Sequence, residues 1–193
     1  MKKVLLFAVV FSGAMALAFA GENKEDFSSE AMPENWSAAK GEWAVADGSL
    51  AGKELATDKH AAVLTLPDSH ADSTITFRFQ NTGAKAFHLS YNHSKGHLFR
   101  IKMDGVKADL ILDKNKKDPT SKPVVLASGE FSLDRGEWYT VTCTVKGDTV
   151  EAKCGDTELK GSHPNLTKEK TGYRFIVQGD GVLIDDVSYS SSK

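Results

Sequence analysis

Alternation of apolar and polar residues, repeated along most of the chain, is the feature that most constrains this fold. In TITFRFQ (74–80), Ile75, Phe77 and Phe79 share one side of the segment and polar residues share the other. Because successive side chains of a strand point to opposite faces, this period of two predicts half-buried β-strands. The same pattern recurs in AFHLSYN (86–92), LFRIKM (98–103), YTVTCTV (139–145), YRFIVQ (173–178) and VLIDDVSY (182–189).

Turn residues separate these alternating segments at regular intervals. They include Asp47-Gly48, Asp104-Gly105, Gly147-Asp148 and Asp180-Gly181. An Asp-Gly pair between two alternating segments is a strong hairpin signal. No stretch of a dozen residues has a helical apolar stripe. Many short strands with regular turns predict an all-β chain that forms a jelly-roll sandwich of two antiparallel sheets.

The first twenty residues have the features of a secretory signal peptide. Lys2 and Lys3 precede an apolar stretch, and Ala18-Phe19-Ala20 matches an A-x-A cleavage site. We therefore expect residues 1–20 to be removed, residues 21–35 to form a flexible lead-in, and residues 36–190 to form a single β-sandwich domain. No later segment is apolar for long enough to cross a bilayer. The sequence thus predicts an exported protein, periplasmic or extracellular, with no membrane span after cleavage.

The charge balance argues against nucleic acid as a partner. The chain carries 24 basic and 26 acidic residues, a net charge of −2. Without Lys2 and Lys3 the net charge becomes −4. A mildly acidic protein has no general electrostatic attraction for phosphate backbones.

The two cysteines, Cys143 and Cys154, are candidates for a disulfide. An even cysteine count in an exported protein favours a bridge. Both residues follow the inward side of neighbouring strands, but the simplest register pairs Cys143 with Ala152 and leaves the two sulfurs diagonal. Disulfide geometry is strict about the distance between the two residues. Two buried free thiols are the alternative.

A polar strand face is the candidate binding site. If the strand containing Ile75 pairs with the next strand in sequence order, the outward positions of this strand and of the following hairpin share one face. They carry long hydrogen-bonding side chains with no acidic residue among them. Guanidinium groups and planar amides suit sugar hydroxyls or carboxylates. A solvated strand face is the alternative explanation. The predicted binding residues are Arg78, Gln80, His88, Asn92, Arg100 and Lys102, with His97 and the loop 161–172 at the rim.

Metal and catalytic sites are not predicted. His93 and His97 are four residues apart, a spacing that aligns ligands on a helix but not on a hairpin, and a zinc site needs three or four converging ligands. Asp109 and Asp113 share one strand face but lie roughly 13 Å apart, too far for a pair of glycosidase carboxylates. No catalytic residue is assigned, no metal is expected, and a structural calcium has no supporting motif.

Two motifs resemble those of concanavalin A-like sandwich domains. GEWAVADGSLAG (41–52) is similar to their opening strand pair, and RGEWYTVTCTVKGDTVEAKCGDTELKG (135–161) resembles their "G-E-W-x-T" hairpin. The resemblance runs from about Trp36 to Tyr189. The named group it resembles most is the 3-keto-disaccharide hydrolase domain family, with laminin-G-like and family-16 glycoside hydrolase-like sandwiches as more distant relatives. It implies a concanavalin A-like fold and hydrolase activity.

The chain departs from the catalytic motifs of these families. The Glu-x-Asp-x-x-Glu strand of family-16 enzymes is absent. The Asn-Ser-Gly motif that leads to an arginine in the 3-keto-disaccharide hydrolases is here Asn81-Thr82-Gly83, and no arginine follows until Arg100. A fold that both lectins and enzymes use does not choose between them.

Three functions follow as predictions. The first is an exported carbohydrate-binding domain that engages a glycan on the polar sheet face. The second is a glycoside hydrolase of the 3-keto-disaccharide type. The third is a non-catalytic envelope or matrix protein that binds other proteins.

Overall fold

A computed structural model describes residues 21–192, and the predicted signal peptide lies outside the described residues. Two short 3₁₀ helices, Ala56–Asp58 and Pro164–Thr167, interrupt a succession of strands. Within residues 21–192, no helix has the length and apolar character needed to cross a membrane. The strands are β1 Asn23–Glu25, β2 Ser37–Lys40, β3 Glu42–Ala46, β4 Ser49–Lys53, β5 Ala62–His70, β6 Asp72–Asn81, β7 Ala84–His93, β8 Gly96–Asp104, β9 Lys107–Leu112, β10 Val124–Glu130, β11 Trp138–Lys146, β12 Thr149–Cys154, β13 Thr157–Ser162, β14 Lys170–Gly179 and β15 Val182–Ser192.

The strands form two antiparallel sheets. The eight-stranded sheet has the order β13-β12-β11-β6-β15-β4-β3, and β1 also pairs with β15. The seven-stranded sheet has the order β10-β9-β8-β7-β14-β5-β2. The chain is therefore an all-β jelly-roll sandwich, which confirms the predicted fold class.

The core lies between the two sheets and is rich in aromatic side chains. Phe77 and Phe79 of the eight-stranded sheet meet Phe87 and Phe175 of the seven-stranded sheet, and the Phe79 and Phe87 ring centroids are 4.5 Å apart. All four side chains are fully buried. The alternation in the sequence predicted the inward side of these strands correctly, because the period of two places every second side chain in the same apolar layer.

A tight turn at Asp47-Gly48 joins β3 to β4. Ala46 pairs with Ser49, so only two residues form the loop, and both have positive φ angles (51° and 71°). A two-residue loop of this kind matches the right-handed twist of its strands, and Asp-Gly is a preferred pair for it. The turn is a local feature that the sequence predicts without reference to the rest of the fold.

The connection from β6 to β7 is a crossover between sheets. The buried Asn81 accepts hydrogen bonds from the backbone N–H groups of Gly83 and Ala84 and donates one to the Leu133 carbonyl. These bonds hold the chain in a turn that leaves one sheet and enters the other. As a result β6 pairs with β11 and β15, and β7 pairs with β8 and β14. The pairing of β6 with β7 in sequence order, on which the predicted binding face depended, does not occur.

Part of the segment expected as a flexible lead-in is ordered against the sandwich. Strand β1 pairs with the end of β15, and Phe27 is 1% exposed. The Phe27 ring contacts Trp36 edge-on at 5.6 Å, and Trp36 stacks on Phe175 at 5.8 Å. These contacts attach residues 23–36 to the core.

The two cysteines are free and buried. Cys143 pairs with Ala152, and Cys154 pairs with Val141, so the cysteines lie diagonally across β11 and β12. The predicted disulfide is not formed, because diagonal neighbours in an antiparallel pair are about 7–8 Å apart and a bridge needs closer Cβ atoms. Burial raises the pKa of each thiol to about 12.

Candidate functional site

The predicted binding face is divided between the two sheets. Arg78 and Gln80 lie on β6, on the outer face of the eight-stranded sheet. The other predicted residues lie on β7 and β8 in the seven-stranded sheet: His88, Asn92, His97, Arg100 and Lys102. Because the core separates the two outer faces, the two groups cannot contact one small ligand. The prediction that they form one surface is wrong, and its cause is the crossover at Asn81.

Arg78 and Gln80 are engaged in local contacts on their own sheet. The Arg78 guanidinium lies 3.1 Å from the Asp185 carboxylate and 2.8 Å from that of Asp186, and its Cζ is 4.9 Å from the centre of the Trp138 ring. A bulge between Asp185 and Ser188 brings both carboxylates to the same arginine. Gln80 donates a hydrogen bond to the Gly136 carbonyl. This cluster links β6, β11 and β15.

The remaining residues share the outer face of the seven-stranded sheet. His88 pairs with Lys102 and Ser90 pairs with Arg100, as the alternation requires. His88 is only 5% exposed and Ser90 is fully buried, whereas the Arg100 and Lys102 side chains are 27% and 33% exposed. The β7 row therefore lies below the longer side chains of its neighbours. His88 is on the predicted face, but it lies beneath the surface and is not an exposed contact residue.

Burial fixes the protonation of the histidines on this face. Desolvation, together with the nearby Arg100 and Lys102 charges, lowers the pKa of His88 to about 3. Burial and the charges of Arg174 and Arg100 lower the pKa of His97 to about 4. Both imidazoles are neutral at pH 7, so each offers one nitrogen as a donor and one as an acceptor.

The sequence analysis placed no acidic residue on this face, but carboxylates do lie there and neutralise part of its positive charge. Asp113 bonds the Arg100 guanidinium, and Lys102 donates to Asp104 at 2.9 Å. Burial raises the pKa of Asp113. Burial also acts to raise the pKa of Asp109, but hydrogen bonds from Lys107 and Ser128 outweigh it and the pKa is lowered. Arg100 and Lys102 are thus held in place by ion pairs.

Several buried polar atoms on this face have no hydrogen-bond partner within residues 21–192. They are both ring nitrogens of His88, Oδ1 of Asn92, Nε of Arg100 and Oδ2 of Asp113. Buried polar groups in folded proteins are nearly always hydrogen-bonded to protein or water. A cluster of unpaired atoms on one face therefore indicates a place where water or ligand hydroxyls complete the hydrogen bonding.

A cleft of about 500 Å³ opens at the end of this face. Its walls are the β7–β8 turn (93–97), the loop between β9 and β10 (113–122) and the loop 163–169. His97 connects the cleft with the outer face of the sheet. It lines the cleft, and its Nδ1 lies 2.8 Å from Ser90 Oγ on the sheet face. The predicted rim, His97 with the loop 161–172, is brought together here. His163 Nδ1 accepts a hydrogen bond from the Asn165 N–H and so begins the second 3₁₀ helix.

The sequence interpretation missed one wall of this cleft. The segment KNKKDPTSK (114–122) contributes Lys114, Lys116 and Lys122 to the lining. The high density of lysines in this segment was the sequence signal that could have identified this wall. Nothing in the alternation of strands shows that this loop folds towards the β7–β8 turn.

The described residues show no site for metal ligation. No group of three or more His, Cys, Asp or Glu side chains within residues 21–192 is placed to hold a metal ion. His93 and His97 both line the cleft, with no third ligand beside them among the described residues.

Comparisons with known proteins identify the fold. No protein-family model matches the chain, and no curated protein is similar to it in sequence. Solved structures do match. A carbohydrate-binding module, CBM66, from Bacillus subtilis aligns with a TM-score of 0.66 at 14% identity, over 81% of this chain and 96% of that one. A protein of unknown function with a galectin-like fold, from Bacillus subtilis, aligns with a TM-score of 0.64 at 12% identity, over 90% and 97% of the two chains.

A larger protein contains a similar sandwich. The GH43 protein BlXynB from Bacillus licheniformis aligns with a TM-score of 0.59 at 9% identity, over 88% of this chain but only 39% of that one. At these identities the likeness establishes the jelly-roll fold alone. The finer assignment to the 3-keto-disaccharide hydrolase family stays a prediction.

Proposed function

We propose that this protein is an exported glycan-binding protein that engages a carbohydrate on the outer face of the seven-stranded sheet and in the adjoining cleft. Export rests on the signal-peptide pattern of residues 1–20. Arg100, Lys102 and His97 contact the sugar, while His88 and Asn92 support them from below. Arg78 and Gln80 are not part of this site.

The observation that carries the proposal is the cluster of unpaired, buried polar atoms on this face. Four residues of one patch contribute them: His88, Asn92, Arg100 and Asp113. A sugar has many hydroxyl groups, each of which donates and accepts hydrogen bonds, so it can reach such atoms directly or through bridging water. The partly exposed Arg100 guanidinium, held by Asp113, lies in the same patch, and a guanidinium suits hydrogen bonding to oxygen atoms of a ligand.

The similarity to a carbohydrate-binding module supports the proposal at the level of fold. The GH43 protein shares this fold as well, so the likeness does not choose between binding and hydrolysis, and the hydrolase alternative depends on a suitable pair of carboxylates. Asp109 lies within β9 and Asp113 follows its last residue, roughly 13 Å away along an extended chain, and each is already held by a basic side chain. A pair of carboxylates that cleaves a glycosidic bond works at about 5–10 Å separation.

Two arginines provide a matched test. Arg100 and Arg78 are each partly exposed and paired with an aspartate, but they lie on opposite outer faces. We expect Arg100→Gln to lower binding on a glycan array by about tenfold or more, the loss of one charge-assisted hydrogen bond. Arg78→Gln should bind as wild type does.

Thermal unfolding of both variants controls for loss of structure. If Arg78→Gln loses binding and Arg100→Gln keeps it, the site lies on the eight-stranded sheet and this assignment is wrong. If wild-type protein binds no glycan on a broad array, the proposed function itself is wrong.

A further inference from the structure

The cleft at the end of the seven-stranded sheet concentrates positive charge. Lysines project from all three of its walls: Lys95 from the β7–β8 turn, Lys114, Lys116 and Lys122 from the loop between β9 and β10, and Lys168 from the loop 163–169. All five are exposed at their side chains. The chain as a whole is acidic, with a net charge of −2. A local excess of this kind is not what the overall composition predicts.

None of these five ammonium groups has a carboxylate of residues 21–192 within 4.0 Å. Several lysines elsewhere do form ion pairs with carboxylates, among them Lys53, Lys107 and Lys160. Two carboxylates do line the cleft. Asp113 is already held by Arg100, and Glu169 accepts a hydrogen bond from Ser69 at 2.7 Å. Arg100 balances the charge of Asp113, and Glu169 offsets one lysine, so the five lysines leave an excess of positive charge in the cleft.

The histidines in the cleft respond to this field. After burial, the charges of Lys168 and Lys95 are the causes that lower the pKa of His93. Lys116 is among the cations that lower the pKa of His97. Two histidines of the β7–β8 turn thus lie close to lysine charges that come from all three walls of the cleft. A concave site lined by one sign of charge attracts ligands of the opposite sign.

We infer that the ligand of this cleft is an acidic polysaccharide, one that carries uronate carboxylates or sulfate esters. This inference rests on the proposed glycan-binding function. Lysine ammonium groups on flexible stems act as adjustable point charges, which suits negative groups spaced along a sugar chain. The adjoining sheet face, with its unpaired hydrogen-bonding atoms, accommodates the uncharged part of the same chain.

Matched pairs of probes separate charge from sugar. Purified protein is titrated with dextran sulfate and dextran, and with polygalacturonate and its methyl ester, which differ within each pair in charge and not in backbone. We expect the charged member of at least one pair to bind about tenfold or more tightly than the neutral member. Raising the salt concentration from 0.05 to about 0.5 M should weaken that binding, because screening shortens the reach of the lysine charges.

Charge-matched variants locate the site. The cleft variant Lys95→Gln, Lys116→Gln, Lys168→Gln removes one lysine from each wall. The control variant Lys24→Gln, Lys146→Gln, Lys153→Gln removes three exposed lysines from the eight-stranded sheet. The cleft variant should lose about tenfold or more in affinity for the acidic glycan, and the control variant should retain wild-type affinity.

The outcomes distinguish this inference from the proposed function. Equal binding of neutral and charged glycans overturns the inference and leaves glycan binding intact. Equal loss in both variants overturns the cleft as the site. Equally tight binding of a DNA duplex or of phosphatidylglycerol vesicles overturns the restriction to acidic glycans. Failure to bind any glycan overturns the proposed function together with the inference.

Discussion

Replacement of His88 by glutamine should change how stability depends on pH. The imidazole is 5% exposed, neither ring nitrogen has a partner within residues 21–192, and its pKa is lowered to about 3. In the unfolded chain a histidine has a pKa of about 6.5. Between these two values the unfolded state binds a proton that the folded state does not, so the free energy of unfolding falls as the pH is lowered.

The magnitude follows from the two pKa values. Each pH unit inside this window is worth about 1.4 kcal/mol, so His88 should remove about 2.5 kcal/mol of stability between pH 7 and pH 4.5. The contribution is present in full above the unfolded pKa and is lost as the pH falls towards the folded value. His97, with a pKa of about 4, titrates over much of the same range. For this reason the comparison of wild type with His88→Gln, and not the wild-type curve alone, isolates His88.

Urea unfolding at pH 7, 6, 5 and 4.5 measures this difference. Between pH 7 and pH 4.5, the free energy of unfolding of wild type should fall by about 2.5 kcal/mol more than that of His88→Gln, whatever the two stabilities are at pH 7. His60→Gln, at an exposed histidine before β5, should keep the wild-type pH dependence. A wild-type curve parallel to that of His88→Gln would refute the reasoning. So would an NMR titration that places the His88 pKa near 6.5.

Three further predictions concern stability and thiol chemistry. Phe27→Ala should lower the free energy of unfolding by about 3–5 kcal/mol in urea denaturation, because the ring is buried against Trp36; a change below 1 kcal/mol would show that the lead-in does not support the core. Cys143 and Cys154 should react with a thiol reagent only in denaturant, giving two thiols per chain, and rapid native reaction or no reaction when denatured would contradict the buried free thiols. Asn81→Ala should lower the free energy of unfolding by about 1–3 kcal/mol for each buried backbone group left unpaired. Thr82→Ala, at the next position of the same crossover, should lower it much less. Equal losses would contradict the role given to the Asn81 amide.

Local patterns predicted much of the sandwich. The alternation assigned Ile75, Phe77 and Phe79 to the core, and all three are fully buried. The Asp47-Gly48 pair predicted a hairpin, and a two-residue turn is present. These features depend on neighbouring residues only, since strand periodicity and turn conformation act over two to four positions.

The candidate site could be predicted only in part. The alternation put His88, Arg100 and Lys102 on one face because the β7–β8 hairpin is local. It also put Arg78 and Gln80 beside them, which required a pairing of β6 with β7 that does not exist. The burial of His88 and the pairing of Arg100 with Asp113 depend on β9 and β14, which lie on either side of the β7–β8 hairpin. No pattern within one strand contains that information.

By itself the sequence determined that this chain forms strands, which side of each strand is apolar and where the turns fall. Those properties follow from residue types and spacing over a few positions. Only the tertiary structure decided which strands become neighbours, because β6 pairs with β11 and β15, which lie far away in the sequence, and not with the next strand. That choice separated Arg78 from Arg100 and brought three distant loops together around the lysine-lined cleft.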